Sequence, residues 1–243
     1  MDMKIIFVIL FITAPSMLSA VEIYKYPITW NDAIYLYHTK EKAKTVSDFS
    51  NVIKAEWGEK IQVKIKSSSN QFKSITISNC VQLMRNEDNL YSTEIPENWV
   101  PLMGWLLNCK SMEYILRMSP SKVSYIDKLT YKTANDLSQI ILDSTHMEEK
   151  NFFVGLQSGI VSDRCYKAYQ CQFETKNEIY LVTVLGKGDL NKDGVEDILL
   201  LVDVGYKGGT GGASMGFILT KNNHDEPLRL LRAFSRGKEI LGE

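Results

Sequence analysis

The chain has 243 residues, 44% of them hydrophobic and 23% charged. That apolar content excludes disorder as the main state, and the length suits one large domain or two small ones. Lys and Arg number 28 against 29 Asp and Glu, a formal net charge of -1, which excludes the basic excess of a general nucleic-acid binder or a polybasic membrane patch.

Met1–Ala20 reads MDMKIIFVILFITAPSMLSA. Lys4 gives a positive start, Ile5–Ile12 is an unbroken apolar run, Pro15 interrupts it, and Ser19-Ala20 ends it with small residues. This is the layout of a secretory signal peptide, with cleavage expected after Ala20. The run is shorter than the ~20 apolar residues of a membrane span. Val21 stands where a bacterial lipoprotein would carry Cys. The mature chain is therefore expected to be periplasmic or secreted, with no stable membrane anchor.

Residues 21 to about 60 read as helical. Thr29-Trp30-Asn31-Asp32 has capping-box spacing, with Asp in place of the usual Glu, and Ala33, Ile34, Leu36 and Tyr37 follow as an apolar stripe. Ser47 is expected to cap a second short helix through Phe49, Val52, Ile53 and Trp57, stopped by Gly58. The period then changes to two. Ile61, Val63 and Ile65 alternate with Gln62, Lys64 and Lys66, and after the turn signal SSSNQ a return strand is expected from Phe72 to Ser78. Pro96 to Met118 reads as helix, with Pro101 suited to its first turn and Pro120 stopping it. A further helix is expected from Thr133 through Leu137, Ile140 and Ile141. The aromatic and Met stripes of these helices read as core in preference to a ligand groove.

The polar stretch THMEEKN marks a possible boundary near residues 145–152. Beyond it, the short gaps between apolar runs favour antiparallel hairpins. Strands are expected around Tyr166, Tyr169 and Phe173, at Ile179, Leu181 and Val184, at Ile198–Val202 and at Phe217–Leu219, with Leu228–Leu231 as an edge strand. The fold expectation is α+β: a signal peptide at 1–20, a mainly helical part with a β-hairpin at 21–150, and an antiparallel β part at 151–243. Both parts can share one core.

Four cysteines, Cys80, Cys109, Cys165 and Cys171, lie in the mature chain. In an oxidising compartment they make two disulfides, with three possible connectivities. On one straight strand Cys165 and Cys171 would stand roughly 20 Å apart, so they can pair only if YKAYQ turns between them. We favour Cys80–Cys109 with Cys165–Cys171; the crossed pairings stay open. No C-x-x-C pair supports a zinc site.

The motif with recognisable chemistry is GDLNKDGVED, residues 188–197. Oxygen side chains fall at loop positions 1, 3, 5 and 9, and Gly194 at position 6 permits a sharp reversal. Calcium takes about six to eight oxygen ligands, which such a turn supplies in large part. An EF-hand would need a Glu at position 12, where Leu200 stands, so Asp197 would close the site instead. GDLNKDGVEDILLLV resembles the calcium loops of FG-GAP and VCBS-type repeats, with D-x-[ND]-x-D-G-x-x-D between two strands. The resemblance covers about 15 residues in a single copy, so the propeller built by those families is not implied. It implies Asp189, Asn191, Asp193 and Asp197 as ligands, with Val195 through its carbonyl. A calcium-free turn held by its own Asn and Asp side chains is the alternative.

The glycine-rich stretch 205–212 departs from a phosphate-binding P-loop, because Gly208 follows Lys207. It reads as a partner-contact loop, with Tyr206, Lys207 and Thr210 as contact residues. Gly212-Ala213-Ser214-Met215-Gly216 spells G-x-S-x-G, yet strand-like FILT follows it, and no acid separates Ser214 from His224, against the order of a hydrolase elbow. The functional expectation is an exported non-enzymatic binding protein, in its most concrete version a periplasmic immunity or inhibitor protein against a toxin or wall-active enzyme. The alternatives are a secreted hydrolase using Ser214 and His224, and a structural envelope protein.

Overall fold

The structure is a computed structural model that describes residues 26–34, 42–67, 69–93, 99–126, 136–137, 139–140, 159–167, 169–209, 212–235 and 238–241. Its centre is an eight-stranded sheet. Seven strands follow one another as an antiparallel meander: β5 (Ser162–Lys167), β6 (Gln170–Glu174), β7 (Glu178–Gly188), β8 (Asp197–Tyr206), β9 (Gly212–Thr220), β10 (Arg229–Ser235) and β11 (Lys238–Leu241). The eighth, β1 (Thr29–Trp30), comes from far upstream and pairs with β7 at Lys187 and Gly186. Since β6 covers β7 only from Ile179 to Thr183, β1 completes an edge that would otherwise leave backbone groups unpaired.

Side chains alternate across this sheet, and in its central strands β7, β8 and β9 both faces are largely buried, whereas β5 is exposed along its length. From β8, Leu199 and Leu201 join Leu185, Ile218 and Phe234 on one face. Ile198, Leu200, Val202 and Val204 join Tyr180, Val182, Phe217 and Leu219 on the other. A strand buried on both faces reads as a continuous apolar run, which accounts for DILLLV.

The first face is covered by α3 (Trp99–Arg117), through Leu102, Leu106, Met112 and Ile115. Behind α3 lie α1 (Phe49–Lys54), α2 (Cys80–Arg85) and a three-stranded sheet in the order β3 (Phe72–Ile77), β2 (Ile61–Lys66), β4 (Leu90–Thr93). Ile61, Val63, Ile77 and Leu90 of that sheet belong to the same buried cluster as Leu199 and Ile218 of the large one. The residues before and after 150 therefore share a core. Cys80, the first residue of α2, is bonded to Cys109 in α3, both fully buried, with Cα atoms 5.3 Å apart. Cys165 is bonded to Cys171 and stands directly opposite it in the β5–β6 hairpin. The turn between those strands brings their Cα atoms to 3.9 Å.

The expectation of an α+β chain with a mainly helical first part is overturned. Among the described residues 44% are in strands and 25% in helices, and α1 and α2 have only six residues each. Thr29 and Trp30 do not begin a helix. Asn31 donates its backbone N–H to the Leu185 carbonyl and its side-chain amide to the Val184 carbonyl, while its Oδ1 accepts the Ala33 N–H at 2.7 Å. Docking on β7 outweighs the local capping signal, and the described residues that follow, Asp32–Ile34, form a 3-10 turn. The second short helix is present but ends at Lys54, short of Trp57 and Gly58, and the capping box ahead of it is Thr45 with Asp48, on a 3-10 turn at Val46–Asp48, and not Ser47. Leu228–Leu231 is not an edge strand: β10 starts at Arg229, and β11 lies outside it. Of the helix expected from Thr133, the described residues Asp136, Leu137, Gln139 and Ile140 are helical, with Leu137 buried. The leader, Leu36, Tyr37 and the 145–152 stretch lie outside the described residues.

At Gly216 of β9 the ring of Phe234 lies across the strand, and a Cβ there would stand 2.0 Å from the ring. Gly216→Ala is expected to destabilise the fold by about 2–3 kcal/mol through overpacking, and by much less in a Phe234→Ala background. Urea unfolding of the double-mutant cycle measures this coupling; additive losses would mean that the ring does not require the glycine.

Candidate metal centre

The loop 189–196 connects the two longest strands, β7 and β8, just past the pair Gly188 and Asp197. Its backbone is held from outside by the segment that leaves α3. Asp189 and Ser119 exchange both backbone hydrogen bonds, at 2.7 and 2.8 Å. The Gly194 carbonyl accepts from the amides of Lys122 and Val123, and the Glu196 amide donates to the Val123 carbonyl at 2.8 Å. Gly194 has φ +89°, in the left-handed region, which explains the glycine at the reversal.

Inside the loop the carboxylates face amides. Asp189 is 3% exposed; its Oδ1 accepts from Asp193 N at 3.2 Å and its Oδ2 from Gly194 N at 2.8 Å. Asn191 donates its side-chain amide to Asp193 Oδ2 at 2.8 Å, and Asp193 Oδ1 accepts from Val195 N at 2.7 Å. Asp197 reaches back across the loop, its Oδ2 accepting from Leu190 N at 2.7 Å. Its Oδ1 is buried and makes no hydrogen bond of good geometry. Burial pushes the Asp197 carboxyl up to about 7; the Leu190 amide and the nearby Thr220 hydroxyl oppose the shift, and the charges of Asp193 and Asp189 add to it.

The structure thus gathers Asp189, Asn191 and Asp193 into one hydrogen-bonded cluster, with Asp197 across from them and Val195 supplying a backbone amide. The donor set is all oxygen, and the buried Asp197 Oδ1 lacks a strong partner; both suit a hard cation such as calcium. Among the described residues, however, no three His, Cys, Asp or Glu side chains converge closely enough to hold an ion. In this form the loop is closed on its own amides, and an ion would have to draw the carboxylates away from them. Glu196, the remaining acid of the stretch, takes no part: it is buried against Ser124 Oγ at 2.7 Å and Lys187 Nζ at 3.5 Å. The sequence signal for that pairing was absent, because Ser124 comes from a distant segment.

The other candidates are dispersed. Ser214 lies within β9, opposite Asp203 of β8, and donates its hydroxyl to the Asp203 carboxylate, whose pKa burial raises against that bond. His224 lies in the turn after β9, whose end at Thr220 is six strand residues or roughly 20 Å along from Ser214, and its ring is edge-on to Tyr125. Lys207 has partners within the chain: its ammonium meets Glu174 at 2.7 Å and the Thr175 carbonyl at 2.9 Å, and its amide donates to Asn177. Tyr206 ends β8 beside it, and Thr210 lies outside the described residues.

An unfolded Asp197 ionises near 3.8 and the folded one near 7. Between those values the folded chain keeps a proton that the unfolded chain has lost, so the part of the stability linked to Asp197 is fully present below about pH 4 and is lost as pH rises towards 7. In metal-free buffer that loss is expected to be on the order of a few kcal/mol, or roughly 10 °C in melting temperature, and Asp197→Asn should flatten it. Parallel melting-temperature profiles for the two proteins between pH 4 and 8 would remove Asp197 as the source. No protein-family model, curated protein or solved structure matches the chain.

Proposed function

We propose that the chain is an exported, non-enzymatic binding protein whose Asp189–Asp197 loop takes a calcium ion. The observation that carries this reading is the seam at the loop. It joins the two longest strands, and its backbone is hydrogen-bonded to residues 119–123 at the exit of α3. An ion held there by Asp189, Asn191, Asp193, Asp197 and the Val195 carbonyl would supply positive charge to a buried carboxylate and tie α3 more firmly to the sheet. The likeness to FG-GAP and VCBS-type loops supports the choice of calcium. The composition of Met1–Ala20 and the two disulfides support export, since disulfides persist in oxidising compartments. Among the described residues no helix is long and apolar enough to cross a membrane.

Binding is favoured over hydrolysis by the separation of Ser214 from His224 and by the engagement of Ser214 with Asp203. The partner proposed is a toxin or wall-active enzyme met in the periplasm, with this chain as its immunity or inhibitor protein. A structural envelope role would use the same ion without a partner.

Calcium titration of the metal-free protein by isothermal calorimetry is expected to give a saturable heat. Asp193→Ala should weaken affinity by about tenfold or more, because it removes a charged ligand; equal heats in both proteins would end the metal proposal. For the partner, the immobilised chain is expected to retain from periplasmic extract a toxin or wall-degrading enzyme whose activity falls on addition of the chain. If every retained enzyme keeps its activity, the inhibitor reading fails.

A further inference from the structure

Beside the loop lies a cleft of about 530 Å³ between the end of α3, the first half of the loop and β10. Its wall carries three cations from three separate elements: Arg117 from the last turn of α3, Lys192 from the loop and Arg232 from β10. Tyr114, Met118 and Leu190 supply the smaller, apolar part of its lining, and among the described residues no acidic side chain lines the cleft. We propose that this cleft binds a small organic anion, a carboxylate or phosphate group carried on an apolar body. The proposal does not depend on the metal reading of the loop.

Three cations meet at one concavity beside the loop that carries Asp189 and Asp193, whose carboxylates are engaged with that loop's own amides. Single surface cations are well solvated, but three around a concave, partly apolar wall focus their potential inward. Arg117 is positioned for this: its guanidinium lies 5.8 Å from the centre of the Tyr114 ring. Glu113, one turn back, touches Arg117 at 3.4 Å, but both side chains are exposed, at 45% and 60%. A pair that open to water is too weak to neutralise the guanidinium. Lys192 occupies a left-handed backbone position, φ +64°, unusual for a residue with a Cβ. Arg232 is carried by the sheet, opposite Ile218. The volume fits a ligand of metabolite size. Guanidinium groups favour planar oxyanions, and the ring and aliphatic floor favours an apolar body over a bare ion.

The test is a titration of the full mature chain in EGTA, followed by NMR chemical shifts, with phenyl phosphate, benzoate, inorganic phosphate and phenol as probes. At least one of the two aromatic anions is expected to saturate, with a dissociation constant on the order of a millimolar or below. It should bind more tightly than inorganic phosphate, and phenol should not saturate. Preference between phenyl phosphate and benzoate tells which headgroup the cleft takes. The exposed double reversal Arg117→Glu with Lys192→Glu should weaken binding by about tenfold or more, and Lys192→Ala alone by about threefold. Near-UV circular dichroism confirms that each variant keeps its packing. The proposal is overturned if neither aromatic anion saturates below about 10 mM, or if the affinity survives in a folded double reversal. Because EGTA removes calcium throughout, failure of the calcium titration leaves this result standing, and the reverse also holds.

Discussion

The antiparallel ladder between β7 and β8 is the constraint on which the rest of the molecule depends. It runs from Glu178 opposite Tyr206 to Gly188 opposite Asp197 and places every element of interest by register. Its two faces carry the two apolar clusters. One end delivers the acidic loop, and the other delivers the Lys207 turn, which is tied to Glu174 and Thr175. The irregularity between Val184 and Gly186 falls where β6 gives way to β1 as the neighbour of β7. A shift of one residue in this ladder would exchange the faces of Leu199 and Leu200 and bury the wrong side chains on each.

The same ladder sets the electrostatic problem at the loop. Asp197 begins β8 at a fully buried position, with Asp189 buried across the turn. Burying carboxylates is costly unless hydrogen bonds or a cation compensate. Asp189 is compensated by two backbone amides, and Asp197 only in part, by the Leu190 amide and the nearby Thr220 hydroxyl. The loop is closed by its own Asp and Asn side chains on backbone amides, the arrangement of a metal-free turn. On the proposed reading, the incomplete compensation of Asp197 is what a cation would relieve. The cationic cleft next to it has a different origin, since Arg117, Lys192 and Arg232 meet only because α3 ends where the loop and β10 come together.

Much of the local structure was legible from residue spacing. The alternation from Ile61 to Lys66 and its return at Phe72 became β2 and β3, paired Ile61 to Ile77. The apolar stripe and Pro120 bounded α3 at Arg117. Cys165 and Cys171 can pair only across a turn, which anticipated their hairpin, and the even cysteine count anticipated two bonds. The nine-residue spacing of oxygen side chains located the loop. What was not legible were contacts between distant segments. Trp30 and Asn31 carried a local helix signal that strand pairing with β7 overrode, and the literal G-x-S-x-G around Ser214 proved to be mid-strand, its Gly216 lying under Phe234.

The sequence by itself determined the periodicities, the breaks between elements, the reach of the cysteines and the chemistry of the loop, because each depends on residues within about a dozen positions of one another. The tertiary structure alone decided that the chain is dominated by one doubly covered sheet, that the segments on either side of residue 150 share a core, and that the exit of α3 holds the acidic loop. It also decided that three scattered cations face one cleft. Those outcomes rest on backbone pairing and desolvation between residues tens to more than a hundred positions apart, such as Asn31 with Val184 and Ser119 with Asp189. No local pattern encodes which partner a buried hydrogen-bonding group will find.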